Sequence, residues 1–170
     1  GQLNKQFDII ESIGVLHHMD KPMKGWKVLT DCLKPSGLMK IGLYSEFARH
    51  SIVKIREEIS QLGPHTSTSD IRSFRDAIVK SEKNHHKIFK KYFNDFYTVS
   101  ELRDLLFHVQ EHRFTIPQIK DYLEKLGLKF CGFDSNAIVS HFKKTNTNKG
   151  NPFDLDEWHA YEEENPRAFA

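Results

Sequence analysis

A strand–helix–strand pattern near the start of the chain most constrains what it can fold into. Residues 7–16 form a nearly continuous apolar run rich in isoleucine, which is typical of a strand buried on both faces of a parallel sheet. Asp20 and Pro22 then mark the start of a helix, and residues 38–44 form a second short apolar strand. Two strands joined through one helix make a right-handed parallel crossover unit, which predicts an α/β fold.

The remainder of the chain predicts mainly helices. Two pairs match the capping box that begins a helix, namely Thr98 with Glu101 and Thr115 with Gln118. Residues 128–133 resemble a third strand with a glycine inside it. The predicted organisation has three parts, which are a strand–helix–strand over residues 1–45, a helical insertion over 46–127, and a sheet-edge strand with C-terminal helices over 128–170.

Composition argues against several classes of protein. The 170 residues carry 25 Lys and Arg against 23 acidic residues, and this net charge of +2 does not argue for a nucleic-acid partner. Cys32 and Cys131 lie in apolar contexts without metal-ligand spacing, as reduced core cysteines of a cytoplasmic protein do. No apolar run approaches the ~20 residues that cross a bilayer, so no membrane partner is expected.

Ligand-binding groups are expected directly after the first strand. In open parallel sheets, ligands bind beyond the carboxyl ends of the strands. Gly14 permits a close backbone approach at this point, and His17 and His18 provide hydrogen-bonding and titratable groups. A histidine pair after a strand is more often a structural turn, and the residues alone leave both interpretations open.

The segment over residues 7–45 resembles a known enzyme family. Its motifs FDIIESIGVLHH and LTDCLKPSG are similar to the FDxIxxxxVLHH strand and the LxxxLKPGGxL helix end of class I S-adenosylmethionine-dependent methyltransferases. Ser36 replaces the commoner glycine of that motif. Three further segments more loosely resemble a bacterial subgroup often fused to tetratricopeptide repeats, at residues 42–49, 103–115 and 157–170.

The resemblance implies a fold, an activity and roles for individual residues. It implies a partial doubly wound, Rossmann-like methyltransferase sheet with a large helical insertion, and methyl transfer from S-adenosylmethionine to an unknown acceptor. The cofactor would be bound by Gly14, Val15, Leu16 and His17. Catalytic roles would fall to His17, His18 and Tyr44, with a histidine as base where the acceptor is protonated. The substrate side would comprise Tyr44, Ser45, Arg49, His108, Glu111 and Arg113, without a metal.

Two parts of the family's cofactor site have no counterpart in these 170 residues. These are the glycine-rich loop and the acidic residue that binds the ribose hydroxyls. We therefore expect the chain to be the C-terminal portion of a methyltransferase and, when isolated, to be inactive and to bind S-adenosylmethionine weakly or not at all. An unpaired edge on the first strand would recruit a partner, which predicts a homodimer or an upstream N-terminal segment.

Three other functions compete with methyl transfer. His108, Glu111 and His112 match the inverted zinc-protease pattern H-x-x-E-H, with an acid from residues 162–164 as a third ligand, but the neighbouring apolar residues indicate a packed helix and no zinc. Lysines beside the aromatic residues of segment 89–97 could contact nucleic acid, although such aromatic stripes are more typical of a core. A non-catalytic binding or assembly module on a methyltransferase scaffold is the third alternative.

Overall fold

The computed structural model describes residues 5–61, 67–92, 98–107, 111–145 and 150–170. The fold is α/β and mostly helical, and it contains a small two-stranded parallel sheet. In chain order the elements are β1 (Phe7–Ile13), a 3₁₀ turn (Leu16–His18), α1 (Pro22–Asp31), β2 (Leu33–Gly42), β3 (Tyr44–Ser45), α2 (His50–Gln61), α3 (Thr68–Lys80), α4 (Asn84–Tyr92), α5 (Val99–Phe107), β4 (Arg113–Phe114), α6 (Ile116–Leu126), α7 (Asn136–Thr145) and α8 (Leu155–Glu164).

The first two predicted strands are adjacent and parallel, as expected. Ile9 lies opposite Leu38 and Ile13 lies opposite Gly42 in the ladder between β1 and β2. The connection between them is α1, which begins with Pro22 in its first turn, where a missing amide hydrogen costs nothing. The strand–helix–strand prediction is therefore confirmed for this part of the chain.

Both strands have bounds that differ from the prediction. β1 ends at Ile13 rather than at Leu16, because Gly14 has a backbone φ of +74° that turns the chain into the 3₁₀ turn. β2 begins at Leu33 and therefore includes the motif that was expected only to end the helix. The ladder is irregular there, and Ser36 has a φ of +64°, which is the left-handed region that favours glycine.

The prediction that the first strand is buried on both faces is wrong for the described residues. The β1–β2 sheet has two strands, and apolar side chains of both remain exposed. Ile9 is 71% exposed and Leu38 is 59% exposed. Burial on both faces requires layers on both sides of a sheet, and the doubly wound sheet that would supply them is not present in the described ranges.

The third predicted strand, over residues 128–133, is also wrong. These residues have no regular secondary structure and pair with no described strand. Their apolar side chains are used differently, since Phe130 and Phe133 pack against the core around Trp158 and Phe142. The ring centroids of Phe133 and Trp158 are 4.9 Å apart. Apolar content alone did not distinguish a strand from a loop that packs on helices.

The chain divides into two compact units, each with its own core. One unit comprises residues 1–48 and 110–169, and it contains both parallel ladders. Its C-terminal core is an aromatic cluster from α6 to α8, in which Phe142 stacks on Trp158 with centroids 3.9 Å apart. The buried members of this cluster are Ile116, Phe142, Leu155, Trp158 and Tyr161.

The second unit, over residues 49–109, is formed by helices α2 to α5. Its buried core is aliphatic with one aromatic ring, and it consists of Ile52, Ile55, Ile59, Ile71, Ile78, Phe89, Leu102, Leu105 and Leu106. Arg56 secures α2 to α5 by donating two hydrogen bonds to the carbonyl oxygen of Leu105, at 2.7 and 3.1 Å. The three-part boundaries expected from the sequence stay a prediction.

Both predicted capping pairs lie at the start of helices, and the pair Thr115 and Gln118 forms the full capping box. The Thr115 hydroxyl accepts a hydrogen bond from the amide of Gln118, and the Gln118 side chain accepts one from the amide of Thr115 at 2.9 Å. The Thr98 hydroxyl accepts from the amide of Glu101 at 3.2 Å.

Across the described ranges, no helix combines the length and apolar character needed to cross a membrane.

We predict that Ser36→Gly stabilises the protein. Relief of a left-handed backbone at a non-glycine residue contributes about 1–2 kcal/mol, and the greater freedom of glycine in the unfolded chain offsets part of it. The net increase in the free energy of unfolding should be about 0.5–1 kcal/mol, measured by urea denaturation.

The neighbouring residue provides a matched control for this prediction. A Cβ atom on Gly37 would lie 2.9 Å from the backbone oxygen of Asp8, so Gly37→Ala should destabilise the protein by about 1 kcal/mol or more. A Ser36→Gly protein that unfolds at a lower urea concentration than the wild type would contradict the assignment of backbone strain to Ser36.

Candidate functional site

The candidate site begins at the turn that follows β1. The left-handed backbone of Gly14 leads into the 3₁₀ turn at Leu16–His18, which is closed by hydrogen bonds from His18 N to Val15 O and from Met19 N to Leu16 O, both 3.1 Å. Leu16 is 2% exposed and His17 is 1% exposed, whereas Val15 remains open to solvent. The turn therefore buries its first histidine and leaves the half-buried His18 nearer the surface.

His17 and Tyr44 contact each other at the carboxyl ends of the two parallel strands. Their ring centroids are 3.8 Å apart with an interplanar angle of 31°. His18 lies edge-on to both rings, 4.3 Å from His17 and 6.2 Å from Tyr44. The prediction that His17 and Tyr44 lie at the same end of the sheet is confirmed, and the three residues given catalytic roles form one ring cluster.

A second parallel ladder holds Tyr44 and Ser45 in place. β3 pairs with β4, so that Tyr44 lies opposite Arg113 and Ser45 lies opposite Phe114. The Arg113 guanidinium donates from Nε to Glu46 Oε2 at 3.1 Å, which closes the ladder with an ion pair. The structure thus brings Arg113, predicted as a substrate residue, to the same ladder as Tyr44 and Ser45.

The segment before β4 also contacts the histidine turn. The amide of His112 donates a hydrogen bond of 2.8 Å to the carbonyl oxygen of His17. This bond joins residues that are distant in sequence and fixes the backbone of the turn from the side of β4. Glu111, another predicted substrate residue, directly precedes His112 and is half-buried.

The Ser45 hydroxyl lies between a backbone amide and a buried carboxyl group. It donates to Glu162 Oε1 at 2.5 Å and accepts from the amide of Ala48 at 3.0 Å. Because successive side chains of a strand point to opposite sides, Tyr44 contacts the histidine pair while Ser45 contacts α8. The Ser45–Glu162 hydrogen bond therefore ties β3 to α8.

Glu162 is an acid in an apolar setting. It is 1% exposed, and its Oε2 atom has no hydrogen-bond partner among the described residues. Burial raises the pKa of this carboxyl from its ordinary value of 4.5, against the smaller opposing effects of the Ser45 hydrogen bond and of His159. A carboxyl group with a raised pKa exchanges protons nearer neutral pH, which is a property common at functional sites.

Sequence reasoning assigned Glu162 only to the rejected metal site. Its hydrogen-bond partner lies 117 residues away in the sequence, so no local pattern predicts their contact. The one available signal was helical spacing, since Glu162 lies four residues after Trp158, and both are fully buried.

Two further predicted substrate residues are Arg49 and His108. Arg49 is buried and belongs to the helical unit, where its carbonyl oxygen accepts a hydrogen bond from Val53. His108 lies outside the described residues, so the prediction that His108 and His112 bind no zinc stays a prediction.

The lysine and aromatic segment is only partly described. Phe89 is fully buried in the helical core, which confirms the core interpretation for that residue. Lys83 and Lys87 form ion pairs with Glu58 and Glu82, and Lys90 donates to two backbone carbonyls. Residues 93–97 lie outside the described ranges.

Comparison with known proteins yields a relative but no assigned activity. No family model matches the chain. An uncharacterized protein of Synechococcus sp. (strain ATCC 27144 / PCC 6301 / SAUG 1402/1) is 28% identical over an alignment of 142 residues that covers 78% of this chain. The chain spans 33% of the length of that relative.

We predict that Glu162 makes the stability of the protein depend on pH. Folding raises the pKa of this carboxyl, so its contribution to stability is fully present below pH 4.5 and is lost as the pH rises through the folded pKa. The free energy of unfolding of the wild type minus that of Glu162→Gln should therefore fall as the pH rises from 4 to about 8, measured by urea denaturation.

Glu164→Gln is the matched control, because Glu164 is exposed on the same helix. Its free energy of unfolding should differ from that of the wild type by an amount that changes little over this pH range. A Glu162→Gln difference that rises with pH would show that folding lowers, rather than raises, the pKa of Glu162.

Proposed function

We propose that this chain supplies the substrate side of an S-adenosylmethionine-dependent methyltransferase in the cytoplasm. The residues that follow the two parallel strands form one part of the site. The remaining part of the cofactor site belongs to a doubly wound sheet that further strands complete. The observation that supports the proposal most directly is the contact of His17 with Tyr44 beyond the carboxyl ends of β1 and β2. This is the position at which open parallel sheets bind ligands.

The turn after β1 fits the close approach of a ligand to the backbone. A Cβ atom placed on Gly14 would meet no heavy atom within 4 Å, so the space beside this residue is open. Val15, the next residue, is 52% exposed. Residues 14–17 would hold the methionine end of S-adenosylmethionine. The methyl group would pass in line from the sulfonium sulfur, which leaves as the neutral thioether, to the acceptor.

The side chains around this turn are suited to positioning reactants and excluding water. Buried His17 and the Tyr44 ring form a close-packed wall, which restricts the orientations that an acceptor can take. His18 is half-buried and would accept a proton from an acceptor that loses one. Ser45 and Glu162 act as positioning residues, because they hold β3 against α8 behind Tyr44.

The exposed surface of the β1–β2 sheet supports a larger sheet in the native protein. Ile9, Ile13 and Leu38 are each more than half exposed, although apolar strand residues are ordinarily covered. Each of these two strands has one described neighbour, so each presents one edge to which a further strand could add. Further strands and helices would cover this apolar surface.

Binding of S-adenosylmethionine to the native gene product tests the proposal. We expect saturable binding in calorimetry, and we expect Val15→Glu to weaken it at least tenfold. The added carboxylate would repel the carboxylate of the methionine end and occupy the open space beside Gly14. The 170-residue chain alone should bind weakly or not at all.

Val79→Glu is a matched control, since Val79 is 51% exposed on α3 in the helical unit. Its affinity for S-adenosylmethionine should equal that of the wild type. Absence of binding by a folded native gene product would refute the methyltransferase proposal and favour the non-catalytic scaffold. Micromolar binding by the isolated chain as a monomer would show that residues 14–17 are not the partial site proposed.

A further inference from the structure

A cluster of two histidines and one glutamate lies in the helical unit. Glu58 is on α2, and His85 and His86 are in the first turn of α4. His85 Nε2 lies 2.9 Å from Glu58 Oε1, and His86 Nε2 lies 2.9 Å from Glu58 Oε2. One ligand atom from each residue can be chosen so that all three lie within 4.8 Å of one another.

The surroundings of the cluster act on the pKa values of two of its members, His86 and Glu58. Burial is the largest effect on His86, and it lowers the pKa of this imidazole despite the attraction of Glu58. Burial acts to raise the pKa of Glu58, but hydrogen bonds from Lys83 and His85 outweigh it and lower that pKa. A neutral imidazole and a deprotonated carboxylate are the forms that coordinate a cation.

We propose that Glu58, His85 and His86 bind a divalent first-row transition metal ion such as Zn²⁺. Two imidazole nitrogens and a carboxylate are a donor set that suits such ions, and three protein ligands leave a fourth position for water. In tetrahedral geometry, bonds of about 2.0–2.1 Å place two ligand atoms about 3.4 Å apart, so atoms that lie up to 4.8 Å apart need to approach by up to about 1.4 Å.

Lys83 is the group that a metal ion would displace. Its ammonium lies 2.8 Å from Glu58 Oε1, and the side chain is exposed, so it can move into solvent when a cation takes its place. The ammonium neutralises the same carboxylate that the metal would use. Removing this charge should therefore strengthen metal binding, a result that a cluster serving only as an ion-pair network would not give.

A bound ion would join two helices of one core. Ile55 and Ile59 of α2 and Phe89 of α4 are buried in the same cluster, so the metal would cross-link elements that already pack together. Because the ion binds the folded arrangement of three ligands, its binding free energy adds to the stability of the helical unit. The proposed site is independent of the methyltransferase proposal.

Zinc titration of chelator-treated protein tests the site. We expect one equivalent of Zn²⁺ to bind in calorimetry, to raise the melting temperature, and to be replaceable by Co²⁺ with visible absorption bands of nitrogen and oxygen coordination. Glu58→Gln and His85→Ala should each weaken Zn²⁺ binding at least tenfold. Glu58→Gln keeps the size of the side chain, so the loss would report on its charge.

Two further variants separate this site from other histidines of the chain. Lys83→Ala should bind Zn²⁺ more tightly than the wild type, and His112→Ala should bind it equally well. No stoichiometric Zn²⁺ binding, binding unchanged by Glu58→Gln and His85→Ala, or unchanged or weaker binding in Lys83→Ala would each overturn the proposal. Loss of binding in His112→Ala would overturn it as well and would revive the H-x-x-E-H site.

Discussion

The parallel pairing of β1 with β2 positions the residues of the candidate site. Ile13 at the end of β1 lies opposite Gly42 at the end of β2, so both strands end at the same level of the sheet. After β1 the backbone turns at Gly14 and brings His17 back towards the sheet. After β2 the backbone reaches Tyr44 two residues beyond Gly42. Strands of opposite direction would have ended at opposite ends of the ladder, and these two rings could not have met.

Contacts between distant segments then fix what the ladder positions. The β3–β4 ladder, the His112–His17 hydrogen bond and the Ser45–Glu162 hydrogen bond each join the region before residue 48 to the region after residue 110. Each acts on a different point, namely the strand, the turn and the side of β3 that contacts α8. The turn that carries His17 and the strand that carries Tyr44 are therefore each fixed by a contact with the region after residue 110.

Sequence analysis predicted those parts of the site that depend on local pattern and on a general rule of parallel sheets. The strands, the helix between them and the meeting of His17 with Tyr44 follow from apolar spacing and from the direction of a crossover unit. Glu162 could not be predicted, because its role depends on a contact with Ser45 across 117 residues. Residues 128–133 were assigned to a strand because apolar content predicts burial, which a packed loop also provides.

Two glutamates, the buried Glu162 and the half-buried Glu58, illustrate why residue type alone did not identify function. Glu162 receives one described hydrogen bond, from Ser45, and burial raises its pKa, so this carboxyl tends to hold a proton. Glu58 receives hydrogen bonds from Lys83, His85 and His86, and these outweigh burial and keep it charged. The degree of burial and the donors around each carboxyl group together set the direction of its pKa shift. The first is suited to proton exchange and to holding β3, and the second is suited to a cation that replaces the Lys83 ammonium beside it.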